Sequence, residues 1–250
     1  MKKTNLKITL LSLALMLVSV RAFGVTINGI SYELGEEGGL YIATVIPSEL
    51  GGGKYSGAIT IPSMVDYNGM SYDVTGIADG AFRNCTNLTS ITTSDGYWWF
   101  DGIGIGEEAF MGCTNLTSVN IHVSYIGYNA FNGCTKLKTL NLKSNYSTSQ
   151  IDDNAFYGCT SLTSVDLSNF DYIGSLAFAE CTNLSSVTLG ANVKTIGHHA
   201  FAFCKELTSI VLPLDLIKIH DYAFSGCSKL ASVTFNNPST FGSGVFNNCS

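Results

Sequence analysis

Residues 184–204 read Leu184-Ser-Ser-Val187-Thr-Leu189-Gly-Ala-Asn-Val193-Lys-Thr-Ile196-Gly197-His-His-Ala200-Phe201-Ala-Phe-Cys204. The order Ile-x-x-x-Ala-Phe-x-x-Cys-x-x-Leu-x-x-Val-x-Leu within this stretch recurs seven times between Ile77 and Phe235, and begins again at Val245-Phe246-Asn-Asn-Cys249. The cysteines at 85, 113, 134, 159, 181, 204, 227 and 249 are 28, 21, 25, 22, 23, 23 and 22 residues apart. A unit copied in register at a period of 22–23 specifies a solenoid, in which each coil contacts only its neighbours and no coil can bury its apolar residues alone.

The unit translates into geometry. In Leu-x-x-Val-x-Leu the last apolar positions alternate with polar ones at the period of a strand. Ala-Phe-x-x-Cys places Phe and Cys three apart, the spacing of one helical turn. Each coil is therefore predicted to contain a strand, a turn and a short helical segment, with Ile, Ala, Phe, Cys, Leu, Val and Leu pointing inward. Strands stacked ~4.8 Å apart give a parallel sheet on the order of 35 Å long over seven coils.

These residues and spacings resemble the BspA-like class of leucine-rich repeat proteins, and the resemblance covers residues 77–250. It implies an α/β fold, a right-handed leucine-rich repeat solenoid with a parallel sheet of short strands and an N-terminal β cap. It also implies secreted or surface-attached proteins of Bacteroidota and other microbes, several of them adhesins that bind host matrix proteins or other bacteria, with no shared catalytic residue and no cofactor.

Three segments follow. Residues 1–24 carry Lys2, Lys3 and Lys7, an apolar run from Ile8 to Val20, and Arg21-Ala22-Phe23-Gly24, the layout of a secretory signal peptide cleaved after Ala22 or Gly24. The run is too short to span a bilayer, and no later segment is apolar enough, so no transmembrane segment is expected after cleavage. Residues 25–75 lack the repeat but contain strand-like runs such as Val25-Thr-Ile27 and Tyr41-Ile-Ala-Thr-Val45 between glycine turns, and are predicted to cap the first coil, since an uncovered solenoid end exposes core residues and strand edges. Residues 76–250 hold the repeats.

Composition narrows the partners. The 250 residues are 46% apolar and 13% charged with a net charge of −6, which argues against nucleic acid and anionic membrane. Each of the eight cysteines occupies one repeat position behind a Phe, which describes a column of inward thiols; side chains pointing in parallel suit neither the near-perpendicular disulfide torsion nor ligands converging on a zinc ion.

Catalytic signals are weak. Gly51-Gly-Gly-Lys54-Tyr55-Ser56 lacks the first glycine of a phosphate loop and has Tyr where Ser or Thr should follow Lys, so a hairpin loop is expected there. His198, His199 and His220 fall at the turn after Ile in adjacent repeats, with Asp221 in register with His198; exposed turn residues account for them as well as a metal or acid–base site does. The acidic column Asp79, Glu107, Asp153 and Asp221 is interrupted by Tyr128, Ser175 and His198, against a calcium ladder. No catalytic residue and no metal site are expected.

Two features suit binding. The solvent-facing strand positions form one column of Ser90, Ser118, Thr139, Ser164, Ser186, Ser209 and Ser232, beside a second of Thr92, Asn120, Asn141, Asp166, Thr188, Val211 and Thr234. This small, nearly neutral face suits dispersed hydrogen bonds to a protein. The longest cysteine interval holds Tyr97-Trp98-Trp99-Phe100, both tryptophans of the chain, and four consecutive aromatics cannot all face inward. Tyr97, Trp98, Trp99, Phe100, Asn120, Asn141, Asp166 and Thr188 are the candidate ligand-binding residues. The expected partner is an extracellular protein, host matrix or microbial surface protein; the alternatives are a glycan stacked on residues 97–100 or a structural role in the envelope.

Overall fold

The computed structural model describes residues 22–48, 54–94, 102–144, 149–235 and 240–249. Its first half contains β1 (Ala22–Ile27), β2 (Ile30–Glu37), β3 (Leu40–Val45), β4 (Gly57–Ile61), β5 (Met64–Tyr67), β6 (Met70–Ile77), β7 (Leu88–Thr93), β8 (Ile103–Ile105) and β9 (Ser118–Ile126). The second half contains β10 (Thr139–Lys143), β11 (Ser149–Ile151), β12 (Ser164–Leu167), β13 (Phe170–Ile173), β14 (Ser186–Leu189), β15 (Thr195–Ile196), β16 (Ser209–Val211), β17 (Lys218–Ile219), β18 (Ser232–Thr234) and β19 (Thr240–Phe241).

The coils stack through two parallel files of strands. One file is formed by β4, from the segment before the repeats, and the Leu-x-x-Val-x-Leu strands: β4, β7, β9 and β10 pair in that order, followed by β12 with β14 and β16 with β18. The other is a second strand in each coil, in the order β3-β6-β8-β9-β11-β13-β15-β17-β19, which from β6 to β17 ends on the Ile of the repeat. β9 runs through both, its first half pairing with β10 and its second with β8. At the amino-terminal side β1 and β2 continue the second file as antiparallel strands on β3.

The repeat solenoid expected from the spacing is thus present, but Ala-Phe-x-x-Cys is not helical, and there is no helix among the described residues. The reason lies in where alternate backbone N–H groups go. Ala81, Arg83 and Cys85 donate three residues back, to Ala78, Gly80 and Phe82, whereas Gly80, Phe82 and Asn84 donate to Glu107, Ala109 and Met111 of the next coil at 2.7–2.8 Å. Half the donors a helix needs are committed between coils. The chain accommodates this by entering the left-handed region twice per coil, as at Asn154 (φ 58°) and Gly158 (φ 70°).

The core is a set of one-residue columns. Phe82, Phe110, Phe131, Phe156, Phe178, Phe201 and Phe224 stack with ring centroids 4.8–5.3 Å apart and planes within 8° of parallel, and Phe246 follows at 5.6 Å. Tyr55 continues the column beyond Phe82 at 4.5 Å; its hydroxyl donates to Ile46 O at 2.9 Å and accepts from Ser31 N at 3.0 Å. All eight cysteines are thiols. Each from Cys113 onward donates its S–H to the Phe carbonyl of the preceding coil at 3.0–3.3 Å, so cysteine acts as both a small apolar side chain and a donor. Burial is the main force raising the thiol pKa values, to about 12 for Cys113, Cys181 and Cys227.

Cys249 alone is only partly buried. It is expected to react first with an aromatic disulfide reagent under native conditions, the other seven appearing only on unfolding; seven or more fast thiols would contradict the packing. Phe156→Ala, in mid-column, is expected to cost about 3–5 kcal/mol in urea unfolding and Phe246→Ala clearly less, because the latter ring is half-buried.

Candidate functional site

The polar face predicted on the strands is assembled by the first file. Register pairs Thr60 with Thr92, Thr92 with Asn120, Asn120 with Asn141, Asp166 with Thr188, and Val211 with Thr234. β10 lies beside β12 and β14 beside β16, so these positions form a single file across the coils. Side-chain bonds run along it: Asn141 Nδ2 donates to Asn120 Oδ1 at 2.9 Å, and the Thr60 and Thr92 hydroxyls are 3.0 Å apart. Asp166 turns one carboxylate oxygen to Ser168 N at 2.9 Å. Asn120 is half-buried, whereas Asn141, Asp166 and Thr188 are exposed. The structure therefore brings four of the predicted residues onto one surface, and adds Thr60, which the repeat register extends to but the repeat pattern in the sequence does not reveal.

Tyr97, Trp98, Trp99 and Phe100 lie outside the described residues, as do residues 145–148 of the second long interval. The segment that holds the aromatics is flanked on one side by Ser94, whose N–H donates to Ile61 O at 2.9 Å and whose hydroxyl accepts from Ser63 N at 3.1 Å. On the other side stands Gly102 at φ 117°, where a Cβ would come within 2.6 Å of Val123 N, so glycine is required for the backbone to pass.

The remaining candidates resolve by position. Tyr55, in the glycine-rich segment, is buried in the aromatic column. Asp79, Asp153 and Asp221 each accept the N–H of the in-register residue of the next coil, Glu107, Ser175 and Ser243, at 2.6–2.7 Å, so the acidic column serves inter-coil bonding. Among the described residues no group of three or more metal-ligating side chains converges. His198 and His220 do meet: Nε2 of the first lies 3.1 Å from Nδ1 of the second, with Asp221 Oδ2 3.7 Å from His198 Nδ1. His199 instead stacks on Tyr222 at 5.1 Å. Tyr128, which interrupts the acidic column, is exposed on its turn, and sequence reasoning missed two further exposed turn aromatics, Phe203 and Tyr222; their signal was an aromatic where most repeats place Gly, Asn or Glu.

The comparisons agree with this geometry. The profile described as "BspA type Leucine rich repeat region" matches in six copies over residues 65–150, 103–219 and 149–250. The chain belongs to the BspA-type leucine-rich repeat family. Among solved structures, a leucine-rich repeat protein from Bacteroides ovatus is 29% identical with a TM-score of 0.71, covering 91% of this chain and 57% of its own. A leucine rich cell surface protein from Faecalibacterium prausnitzii is 28% identical with a TM-score of 0.70, covering 87% and 55%. The leucine-rich repeat protein of T. pallidum is 26% identical, with a TM-score of 0.58 and coverage of 87% and 86%. This chain therefore spans little more than half the length of the first two relatives. No curated protein matches it significantly. No helix among the described residues is long and apolar enough to cross a membrane.

His220 supplies a pH test of the BspA-type edge. Burial, followed by Lys218 and His198, holds its pKa below the usual 6.5, with Asp221 opposing. As pH falls, the unfolded chain takes up this proton first, so the stability carried by the neutral ring is complete above about 6.5 and is lost as pH drops from there through the lower folded-state value. The urea midpoint of the wild-type chain should fall more steeply than that of His220→Gly between about pH 7 and pH 5; parallel curves would contradict it.

Proposed function

We propose that this BspA-type chain is an exported, surface-exposed recognition protein that binds an extracellular protein, a host matrix component or a protein on a neighbouring microbe, on the outer face of its first strand file. The observation that carries the reading is the continuous polar file through Asn120, Asn141, Asp166 and Thr188. Such a face runs over several coils, offers donors and acceptors at each from Asn120 to Thr188, and bears little charge, which suits a broad protein contact better than a small ligand. Support for the location comes from the Faecalibacterium prausnitzii relative, described as a cell surface protein, and from residues 1–24, which have the layout of a signal peptide. Cleavage after either Ala22 or Gly24 leaves the Val25–Tyr32, Thr26–Ser31 and Ile27–Ile30 pairs intact. Residues 25–75 close the amino-terminal end of the stack in this reading, with Tyr55 seated on the aromatic column and tied to Ile46 and Ser31.

The test is binding to immobilised matrix proteins and polysaccharides at physiological salt. Saturable protein binding with weak salt dependence is expected, and Asn141→Arg/Thr188→Arg should weaken it at least tenfold, roughly 1.4 kcal/mol. Loss in Trp98→Ala/Trp99→Ala with competition by free sugar would move the site to residues 97–100 and favour a glycan. No binding by a folded chain would overturn the recognition reading in favour of an envelope component.

A further inference from the structure

The residue after the inward Ile is glycine in four coils, at Gly106, Gly127, Gly174 and Gly197, and Gly242 holds the same place after Phe241, while Ala78, Asp152 and His220 occupy it in the other three. A Cβ at Gly197 would stand 2.5 Å from Ser175 N, and one at Gly174 2.5 Å from Asp152 C. His220 occupies this column between Gly197 and Gly242, in a backbone that still donates to Ile196 O at 2.9 Å as Gly197 does to Ile173 O. The column thus admits a side chain, as Asp152 shows by accepting the Tyr125 hydroxyl at 2.7 Å, and no other coil places an imidazole there. What the position does provide is contact with His198 of the preceding coil: the two rings lie 4.5 Å apart between centroids, with Nδ1 of His220 facing Nε2 of His198 at 3.1 Å.

We propose that His198 and His220 form a surface site for a late first-row divalent cation such as Zn2+, bound through His198 Nε2 and His220 Nδ1. Two nitrogens 3.1 Å apart can both lie ~2.1 Å from one ion with a ligand angle of roughly 95°, between tetrahedral and octahedral values. Asp221 completes the arrangement from behind. Its Oδ2 lies 3.7 Å from His198 Nδ1 while its Oδ1 is fixed by Ser243 N at 2.7 Å, so a negative charge stands beside Nδ1 and favours the tautomer that carries its proton there. Binding needs the His220 proton on Nε2, which only changes the tautomer of a neutral ring. With half of the His198 side chain exposed, the remaining coordination positions are open to water.

The experiment is titration of the full chain with Zn2+ at neutral pH, read by calorimetry and by long-range 1H–15N imidazole spectra. One equivalent is expected to bind and to shift the His198 and His220 resonances while leaving His199 in place. His220→Gly, which restores the residue other coils carry, and His198→Ala should each weaken binding at least tenfold, and Asp221→Asn by about tenfold, the lower end of second-shell effects. No saturable binding, unchanged affinity in His220→Gly, or zinc that shifts neither imidazole would overturn the site.

Discussion

Hydrogen bonding from each coil to the next fixes a separation of about 4.8 Å, and nearly every other feature of the molecule is a consequence of that one distance. It is imposed by both strand files and also by the turns, where alternate N–H groups reach the following coil. With the backbone so tied, equivalent side chains have no freedom but to stack on one another. The parallel Phe column is the clearest case: its centroid spacing of 4.8–5.3 Å tracks the coil spacing, although aromatic pairs left to themselves take tilted arrangements as readily. The cysteine follows from the same restriction. Each Phe carbonyl already accepts the N–H of its own coil's Cys, and the one group of the next coil that reaches its second lone pair is the thiol there.

How much of this was legible in the sequence depends on which residues carry the information. The inward columns were readable because Ile, Phe, Cys, Leu and Val recur at fixed intervals, and burial of Ile105, Phe110, Cys113 and Leu116 matches that pattern. The second strand of each coil was not readable, because it is as short as Thr195–Ile196 and contributes one inward residue, too little for an alternation to register. The helical expectation failed for a different reason: a spacing of three is common to a helix and to consecutive turns, and what separates them is the destination of the backbone donors, which no side chain announces. Tyr55 was hidden by its setting beside three glycines, yet it stands 27 residues before Phe82, one long period, and continues its column.

The candidate site divides along the same line. Asn120, Asn141, Asp166 and Thr188 could be placed on one face because strand alternation and repeat register together determine both direction and neighbour. The meeting of His198 with His220 was anticipated in register but not in detail, since they occupy adjacent positions of the unit, one after Gly197 and the other in place of glycine. The acidic residues were readable as a column and not as a function: only the coordinates show the carboxylates of Asp79, Asp153 and Asp221 accepting inter-coil N–H groups.

In a molecule where conformity to the column is what stability demands, residues that depart from it carry a cost that other coils avoid. Phe203 and Tyr222 hold left-handed backbone, φ 61° and 57°, at positions where most other coils place Gly or Asn and a few place Glu108, Leu176, Glu180 or His199. That region costs a bulky residue on the order of 1–2 kcal/mol. Glycine follows each of them in the next coil. A Cβ on Gly226 would lie 2.6 Å from the Phe203 ring, and one on Gly244 2.5 Å from that of Tyr222, so glycine in the following coil makes room for each aromatic. His199, also left-handed at φ 54°, rests its ring on Tyr222. Left-handed aromatics and their ring stacking thus fall on the turn side of the sixth and seventh repeats, beside the His198–His220 pair. Two aromatic side chains held in left-handed backbone set this edge apart from coils that place Gly, Asn, Glu or Leu at the same positions.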